Sequence, residues 1–178
     1  MELTAEILRE RLDYDPETGV FVWRPHPGSA NANRAWDRQW SGKPVAVRVV
    51  TAPIPGAKPY GIVRVLGRCY GVHRLAWLWM TGEWPQGEVD HRDRDGLNNR
   101  WSNLRAASRS QNQANKGPMR NNKLGIKGVY KRCNKYRAQM HVGGKHKTIG
   151  SFNCPTAASI AFTKAHKAAY GEFSRTGL

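Results

Sequence analysis

Residues 88–112 of the chain read EVDHRDRDGLNNRWSNLRAASRSQN. A carboxylate, Asp90, stands directly before an imidazole, His91, and the amides of Asn103 and Asn112 follow. In an extended segment adjacent side chains leave the backbone on opposite faces, so Asp90 and His91 are expected to face different ways. Carboxylate, imidazole and amide groups in one short unit suit metal-assisted cleavage of a phosphodiester.

Turn formers and caps predict the local structure of this stretch. Residues 92–98 are polar and contain a glycine, which predicts a turn. Arg100 and Trp101 are expected to return as a second short strand. Ser108 can cap a helix that runs to about Asn115. The segment is therefore predicted to be two short strands followed by a helix.

Hydrolysis of a phosphodiester needs an activated water and neutralisation of the charge that develops on the phosphate. A neutral imidazole such as that of His91 can accept a proton from water near neutral pH. A divalent metal can stabilise the leaving oxygen, and hard ions such as Mg²⁺ or Mn²⁺ prefer oxygen ligands. Asp90 offers a carboxylate and Asn112 an amide oxygen. These two residues are therefore candidate metal ligands.

Acidic residues are concentrated around this pair. Residues 38–82 contain no acid, whereas residues 83–95 contain five. A bound cation is one reason for such a cluster. A polar turn is the alternative, and residues 93–96 fit a turn.

The chain is strongly basic. Its 178 residues carry a formal net charge of +16, and the pI is about 10.3. Residues 118–178 contain 12 Lys and Arg residues against a single acid, Glu172. Such a charge attracts polyanions, so nucleic acid is the expected partner and an anionic membrane surface is the alternative.

No segment predicts membrane insertion or secretion. The longest apolar run, residues 75–80, is too short to cross a bilayer, and no amino-terminal stretch resembles a signal peptide. The three cysteines, Cys69, Cys133 and Cys154, are too widely spaced for a disulfide framework or a C-x-x-C zinc knuckle. We expect them to be small core residues of a cytoplasmic protein.

Patterns outside the central stretch predict further elements. Residues 3–12 and 73–80 are predicted helices, and residues 62–72 a hairpin. Residues 24–59 are rich in Pro, Gly, Asn and Ser and predict an irregular excursion with one strand, Val45 to Val50. The chain is predicted to comprise a β-rich N-terminal region (1–69), a central unit (70–117), a linker (118–124) and a C-terminal domain (125–178).

The C-terminal domain has the clearest pattern. Strands are predicted at residues 128–132, 136–142 and 145–152, with Gly143 and Gly144 as a hairpin turn. In the middle strand apolar residues alternate with Arg137, Gln139 and His141. A helix is predicted over residues 156–170, with its small side chains against the apolar face of the sheet: Ala157, Ile160, Ala161, Ala165 and Ala168.

The central unit resembles the HNH nucleases of phages and introns, in which Asn replaces the last His of the motif. The resemblance rests on Asp90-His91, Asn98-Asn99, residues 102–105 and Asn112, with residues 73–77 upstream and a weaker likeness at 14–23. It implies a ββα-metal fold with one divalent ion. By this resemblance His91 is the general base, Asp90 and Asn112 are metal ligands, and Asn103 pins the loop that orients His91. The missing third-position His disfavours zinc or nickel.

Residues 125–173 resemble the plant ethylene-response-factor DNA-binding domain. The matching pieces are residues 127–130, 136–140, 149–152 and the alanine-rich helix that ends at 170–173. That family lays a three-stranded sheet in the major groove of DNA. The resemblance implies DNA contacts from Lys127, Arg132, Arg137, Gln139, His141, His146 and Thr148. At position 148 the plant domains carry a large aromatic residue instead of threonine.

These observations predict an α+β protein with three parts: a β-rich N-terminal segment, a ββα-metal nuclease unit and a three-stranded antiparallel sheet packed on one helix. The predicted function is a homing-type, metal-dependent DNA endonuclease that acts at a preferred site. The predicted partner is double-stranded DNA, with no membrane and no obligate protein partner. The chain is predicted to act as a monomer or homodimer in the cytoplasm, and to belong to a bacterial host or to be encoded by a phage. The alternative is a catalytically inactive DNA-binding regulator that uses the C-terminal sheet.

Overall fold

The computed structural model describes residues 2–26, 34–51, 58–119 and 121–175, and the chain divides into two compact units, Met1–Ala106 and Ala107–Leu178. The elements of the first unit, in chain order, are α1 (Ala5–Arg11), β1 (Leu12–Asp15), β2 (Val20–Trp23), α2 (Arg34–Trp40), β3 (Arg48–Val50), β4 (Tyr60–Val65), β5 (Arg68–Gly71), α3 (Val72–Thr81), β6 (Glu88–His91) and the start of β7 (Leu104–Ala107).

Caps and turns set the ends of the first unit's elements. The Thr4 hydroxyl accepts from the Ile7 N–H and begins α1. Gly82, in the left-handed region at φ 84°, ends α3. Both ends agree with the helices predicted from the sequence.

Three small antiparallel arrangements form in the first unit. β1 pairs with β2, β4 lies between β3 and β5, and β6 pairs with β7. Their apolar faces share one buried core with α1 and α3, which includes Leu8, Val63 and Leu75 and extends to Val89 and Leu104. The hairpin formed by β6, its loop and β7 therefore rests on a core drawn from the whole unit.

The second unit contains α4 (Arg109–Asn115), β8 (Val129–Arg132), β9 (Lys135–Val142), β10 (Lys145–Phe152) and α5 (Pro155–Tyr170). β9 is the middle strand of an antiparallel sheet. Gly143 and Gly144, at φ 58° and 76°, turn β9 into β10. The mixed fold with a three-stranded sheet packed on a helix is as predicted.

The face of α5 that packs on the sheet matches the predicted one only in part, since Ala165 packs against the core as predicted and Ala168 is exposed. The buried residues of α5 are Ala158, Phe162 and His166, which are spaced four apart. Ala158 and Phe162 share one core cluster with Val129, Ala138 and Met140 of the sheet. Ile160, predicted to pack, is 65% exposed. The alanine pattern misled the prediction because alanine fits either face of a helix, whereas the Phe162 ring needs the core.

Three other predictions were wrong. Residues 34–40 form α2 inside the stretch predicted to be irregular. The return strand begins at Leu104, because residues 101–103 first close a 3-10 turn. Cys69, Cys133 and Cys154 are all exposed rather than core residues.

Parts of two predicted segments lie outside the described residues: 27–33 and 52–57 of the irregular excursion, and residue 120 of the linker. None of the helices that the structure describes is both long enough and apolar enough to cross a membrane.

Candidate functional site

Asp90 in β6 forms a buried ion pair with Arg105 in β7. Asp90 Oδ2 accepts from Arg105 Nε at 2.9 Å and from Nη2 at 2.7 Å. The two residues are 5% and 7% exposed. Because Asp90 and Arg105 stand in different strands, the pair joins the two strands of the hairpin. Removing one partner would leave a buried charge without its counter-charge.

His91, the last residue of β6, is partly exposed and is held by two neighbours. Its Nε2 lies 3.2 Å from Asn99 Oδ1. The ring of His73, from α3, meets the His91 ring edge-on, with centroids 5.2 Å apart and planes at 67°. An amide oxygen and an imidazole ring therefore restrict the orientation of His91.

His73 packs against His91 and is uncharged near neutral pH. Burial, and then the charges of His91 and Arg74, lowers the pKa of His73 to about 4. Its Nδ1 is buried and has no hydrogen-bond partner among the residues that the structure describes. The ring also lies against Gly71, where a Cβ atom would approach His73 Cε1 to 2.8 Å. His73 is neutral at pH 7 and presents an uncharged ring to His91.

The loop between β6 and β7 is tied by the side chain of Asn103, which is 8% exposed. Asn103 Oδ1 accepts from the Asp93 N–H at 3.0 Å. Its Nδ2 donates to Asp93 Oδ1 at 2.9 Å and to the Asn98 carbonyl at 2.7 Å. One amide thus joins both ends of the turn that follows His91.

Asp93 is the second hub of this loop. Its carboxylate accepts from the Asp95 N–H at 2.8 Å and from Asn98 Nδ2 at 2.6 Å, besides Asn103. Burial alone would raise the pKa of Asp93, but these hydrogen bonds and the charge of His91 outweigh it and lower the pKa. The ionised carboxylate is therefore part of the turn, as predicted for residues 93–96.

Asn112 lies in α4 of the second unit and is partly exposed. Ser108 caps this helix, and its hydroxyl accepts from the Gln111 N–H while Gln111 Oε1 accepts from the Ser108 N–H. This reciprocal arrangement is a capping box. It fixes the start of the helix one turn before Asn112, at the residue that the sequence predicted.

Part of the chain matches a protein-family model. Residues 70–114 match the family model described as HNH endonuclease. These residues form an HNH endonuclease domain. The match indicates a nuclease that acts on nucleic acid. No curated protein and no solved structure matches the chain.

The motif implies two oxygen ligands for the HNH domain, and oxygen ligands suit a hard divalent cation. A carboxylate from Asp90 and an amide oxygen from Asn112 are ligands that such ions accept. Within the described residues no three His, Cys, Asp or Glu side chains group as a metal site. Asp90 also shares its Oδ2 with Arg105, so a cation there would have to share this carboxylate with a guanidinium.

A polar face lies on the side of the C-terminal sheet opposite the α5 core. Cross-strand pairing sets His146 opposite His141, with ring centroids 4.1 Å apart, and Thr148 opposite Gln139. Alternation along the strands puts Arg137 on the same face. We call this surface the basic sheet face and define it by six residues: Arg132, Arg137, Gln139, His141, His146 and Thr148.

Lys127, the seventh residue with a predicted DNA contact, has a different environment. It precedes β8, and its ammonium donates to the carbonyl of Ala114 at the end of α4. It also lies close enough to His166 to lower the pKa of that residue. Lys127 therefore has a structural contact inside the second unit.

Sequence reasoning missed the contacts that Arg105 and the side chain of Asn99 make at the HNH site. Arg105 is the single charged residue of the otherwise apolar strand β7, and Asp90 lies in β6, the strand that pairs with it. That pattern could have indicated an ion pair across the hairpin. Asn99 carried no such signal, because a second Asn in a polar turn is ordinarily a turn former.

Proposed function

We propose that the protein is a homing-type DNA endonuclease that cleaves phosphodiester bonds at a preferred site. The observation that carries the proposal is the restrained His91 imidazole inside a segment that matches the HNH endonuclease family. The strongly basic C-terminal sheet supports DNA rather than a small phosphodiester as the substrate.

His91 is the proposed general base, which accepts a proton from the attacking water. Asp90 and Asn112 are the proposed ligands of one divalent ion, Mg²⁺ or Mn²⁺, by their places in the motif. When bound, this ion supplies positive charge to the phosphate and the leaving oxygen. Asn103 is proposed to keep the loop after His91 in one conformation through its three hydrogen bonds.

The C-terminal unit is proposed to deliver double-stranded DNA, as its resemblance to the ethylene-response-factor domain implies. The basic sheet face combines cationic Arg132 and Arg137 with amide, hydroxyl and imidazole groups. Arginines position a sheet on phosphates, whereas Gln139 and Arg137 have the groups needed to contact base edges in the major groove. Lys127 is the weakest of the seven proposed contacts because of its bond to Ala114.

One observation favours the alternative, an inactive DNA-binding regulator. Arg105 already supplies a positive charge to Asp90 Oδ2. If that guanidinium replaces the metal, the chain keeps its DNA-binding surface and lacks the ion that cleavage requires.

A cleavage assay separates the two functions. The full chain is incubated with plasmid and long phage DNA, in Mg²⁺, in Mn²⁺ or in EDTA. The endonuclease predicts metal-dependent products with defined ends. An absence of products under every condition, with DNA binding intact, would favour the regulator.

His91→Ala is the variant that tests the base. Loss of a general base is expected to slow cleavage by roughly 10²–10⁴-fold, while DNA binding, measured by electrophoretic mobility shift, is expected to persist. Cleavage at the wild-type rate by His91→Ala would exclude His91 as the base. His26→Ala is a matched control, since His26 packs against Trp36 in another part of the first unit.

A further inference from the structure

We propose that Asn99 sets the tautomer of His91, and that the β1–β2 hairpin holds Asn99 in place for this purpose. The catalytic meaning of the proposal rests on the nuclease function proposed above. The hairpin itself lies outside residues 70–114, which match the HNH family.

The Asn99 amide has only one orientation that satisfies both of its neighbours. Its Nδ2 lies 3.0 Å from the Leu97 carbonyl oxygen and donates to it. A flipped amide would place Oδ1 against that carbonyl, and two acceptors without a proton between them repel. The Leu97 carbonyl therefore turns Asn99 Oδ1 toward His91.

This orientation assigns the proton on His91. An amide oxygen only accepts, so the Nε2 that lies 3.2 Å from Asn99 Oδ1 is the nitrogen that carries the hydrogen. A neutral imidazole has one N–H, so Nδ1 then holds the basic lone pair. Nδ1 is thus the atom that takes the proton from water, and Asn99 is a positioning residue that acts through His91.

The backbone of Asn99 is held from the β1–β2 side. The Tyr14 hydroxyl donates to the Asn99 carbonyl at 2.6 Å, and the Trp101 N–H donates to the Pro16 carbonyl at 2.9 Å. Gly19, at φ 76°, approaches so closely that a Cβ atom there would lie 2.5 Å from the Asn99 carbonyl carbon. Asn99 is 5% exposed, so its side chain has little room to take another position.

Nitrogen NMR of the imidazole tests the proposal directly. The full-length, metal-free chain is labelled with ¹⁵N-histidine and measured at about pH 8.5, about two units above the ordinary imidazole pKa. His91 signals are identified by their loss in His91→Gln. We expect a pyrrole-type, protonated signal at Nε2 and a pyridine-type signal at Nδ1. The opposite pattern in the wild-type chain would overturn the proposal.

Two variants of adjacent residues separate tautomer control from general disturbance of the turn. Asn99→Leu removes the acceptor at similar volume and is expected to move both His91 signals toward tautomer-averaged positions. Asn98→Ala is the matched control, because the Asn98 amide donates to Asp93 in the same turn, and wild-type signals are expected. Unchanged signals in a folded Asn99→Leu chain would overturn the proposal.

Tyr14→Phe supplies a milder test that keeps Asn99. It removes only the hydroxyl that donates to the Asn99 carbonyl, and we expect a smaller shift in the same direction as Asn99→Leu. An unchanged spectrum would overturn the role of the hairpin. These spectra need neither metal nor DNA, so a chain that fails to cleave DNA still gives a clear answer on the tautomer.

Discussion

The β6–β7 hairpin and the basic sheet face both present polar groups, but different forces shape them. The loop of the hairpin is fixed by side chains, through Asn103, Asp93 and Asn99. The sheet face is fixed by backbone pairing between β8, β9 and β10 and by apolar packing beneath it. The side chains proposed to contact DNA lie on the face of the sheet opposite this packing.

This difference fits the work proposed for each surface. Proton transfer requires one atom at one place, so a loop in which several bonds restrain each residue is suited to it. Binding a DNA backbone requires positive charge on a stable platform, and individual contacts there contribute modestly. Substitutions should therefore separate the two: the hairpin should respond to loss of polar partners, and the sheet to loss of packing.

The largest effect is expected from Arg105→Met, which leaves Asp90 buried without its counter-charge. Breaking one side of a buried pair costs about 3–5 kcal/mol. Hydrogen exchange measured by mass spectrometry should show faster exchange in β6 and β7, with β9 protected as in the wild type.

The double variant Asp90→Leu with Arg105→Met is the control. It removes both charges, and replacement of a buried pair by apolar residues is often neutral for stability. We expect the protection of β6 and β7 to return. A double variant as unstable as Arg105→Met alone would contradict the ion-pair explanation.

Gly128→Ala should give the converse result in the second unit. A Cβ atom at residue 128 would lie 2.0 Å from Cε2 of Phe162, whose side chain is 3% exposed and cannot move away. Overpacking costs about 1–3 kcal/mol, and the positive φ of 70° adds about 1–2 kcal/mol. Exchange should rise in β8 and β9, while β6 and β7 keep their protection.

Gly125→Ala is a matched control for Gly128→Ala, because φ is 65° there and nothing lies within 4 Å of the added Cβ. It isolates the backbone cost, and we expect only about 1–2 kcal/mol. Equal losses for the two variants in urea unfolding would show that the Phe162 contact is unimportant.

His166 gives the second unit a pH dependence of moderate size. Burial, and then the charge of Lys127, lowers the pKa of His166 to about 4, against about 6.5 when unfolded. The unfolded chain takes up a proton first as pH falls, so this contribution is complete above pH 6.5 and is lost between about pH 6.5 and 4. The expected loss is about 1–3 kcal/mol.

His166→Gln should flatten this part of the profile. The unfolding free energy of the second unit, followed by urea titration at about pH 7 and about pH 4.5, should fall less in the variant than in the wild type. Equal losses in the two proteins would mean that other groups carry the pH dependence.

Arg137→Ala on the basic sheet face is expected to change DNA binding rather than stability. Loss of one phosphate or base contact weakens DNA binding by about 1–3 kcal/mol and reduces the salt dependence by about one counter-ion. Lys164→Ala removes the same charge from α5, where Lys164 is exposed, and should weaken binding less. Fluorescence anisotropy at several salt concentrations measures both, and equal effects would argue against the sheet face.

Periodicity predicted the second unit well. Alternation in β9 separated Arg137, Gln139 and His141 from the buried residues Ala138 and Met140, because a strand has a period of two and one covered face. The packed face of α5 was predicted only in part, since the prediction weighted the number of alanines rather than the single large side chain, Phe162.

The sequence predicted which elements carry the candidate site residues, but it missed the contacts that these residues make. Asp90, His91 and Asn103 stand in the β6–β7 hairpin, as the motif suggested. The bond from Tyr14 to Asn99 joins residues 85 positions apart, and no local pattern encodes such a contact. The Asp90–Arg105 pair was missed because the return strand was placed too early, which left Arg105 outside the hairpin.

The shared core limits how freely the β6–β7 hairpin could be exchanged between proteins. Val89 and Leu104 pack in one cluster with Leu3, Leu8 and Leu12 from the start of the chain. A cassette cut at the edges of the family match would keep the members of this cluster in α3 and lose those in α1 and β1. A transfer that keeps this core intact would therefore have to include the amino-terminal helix and strands as well.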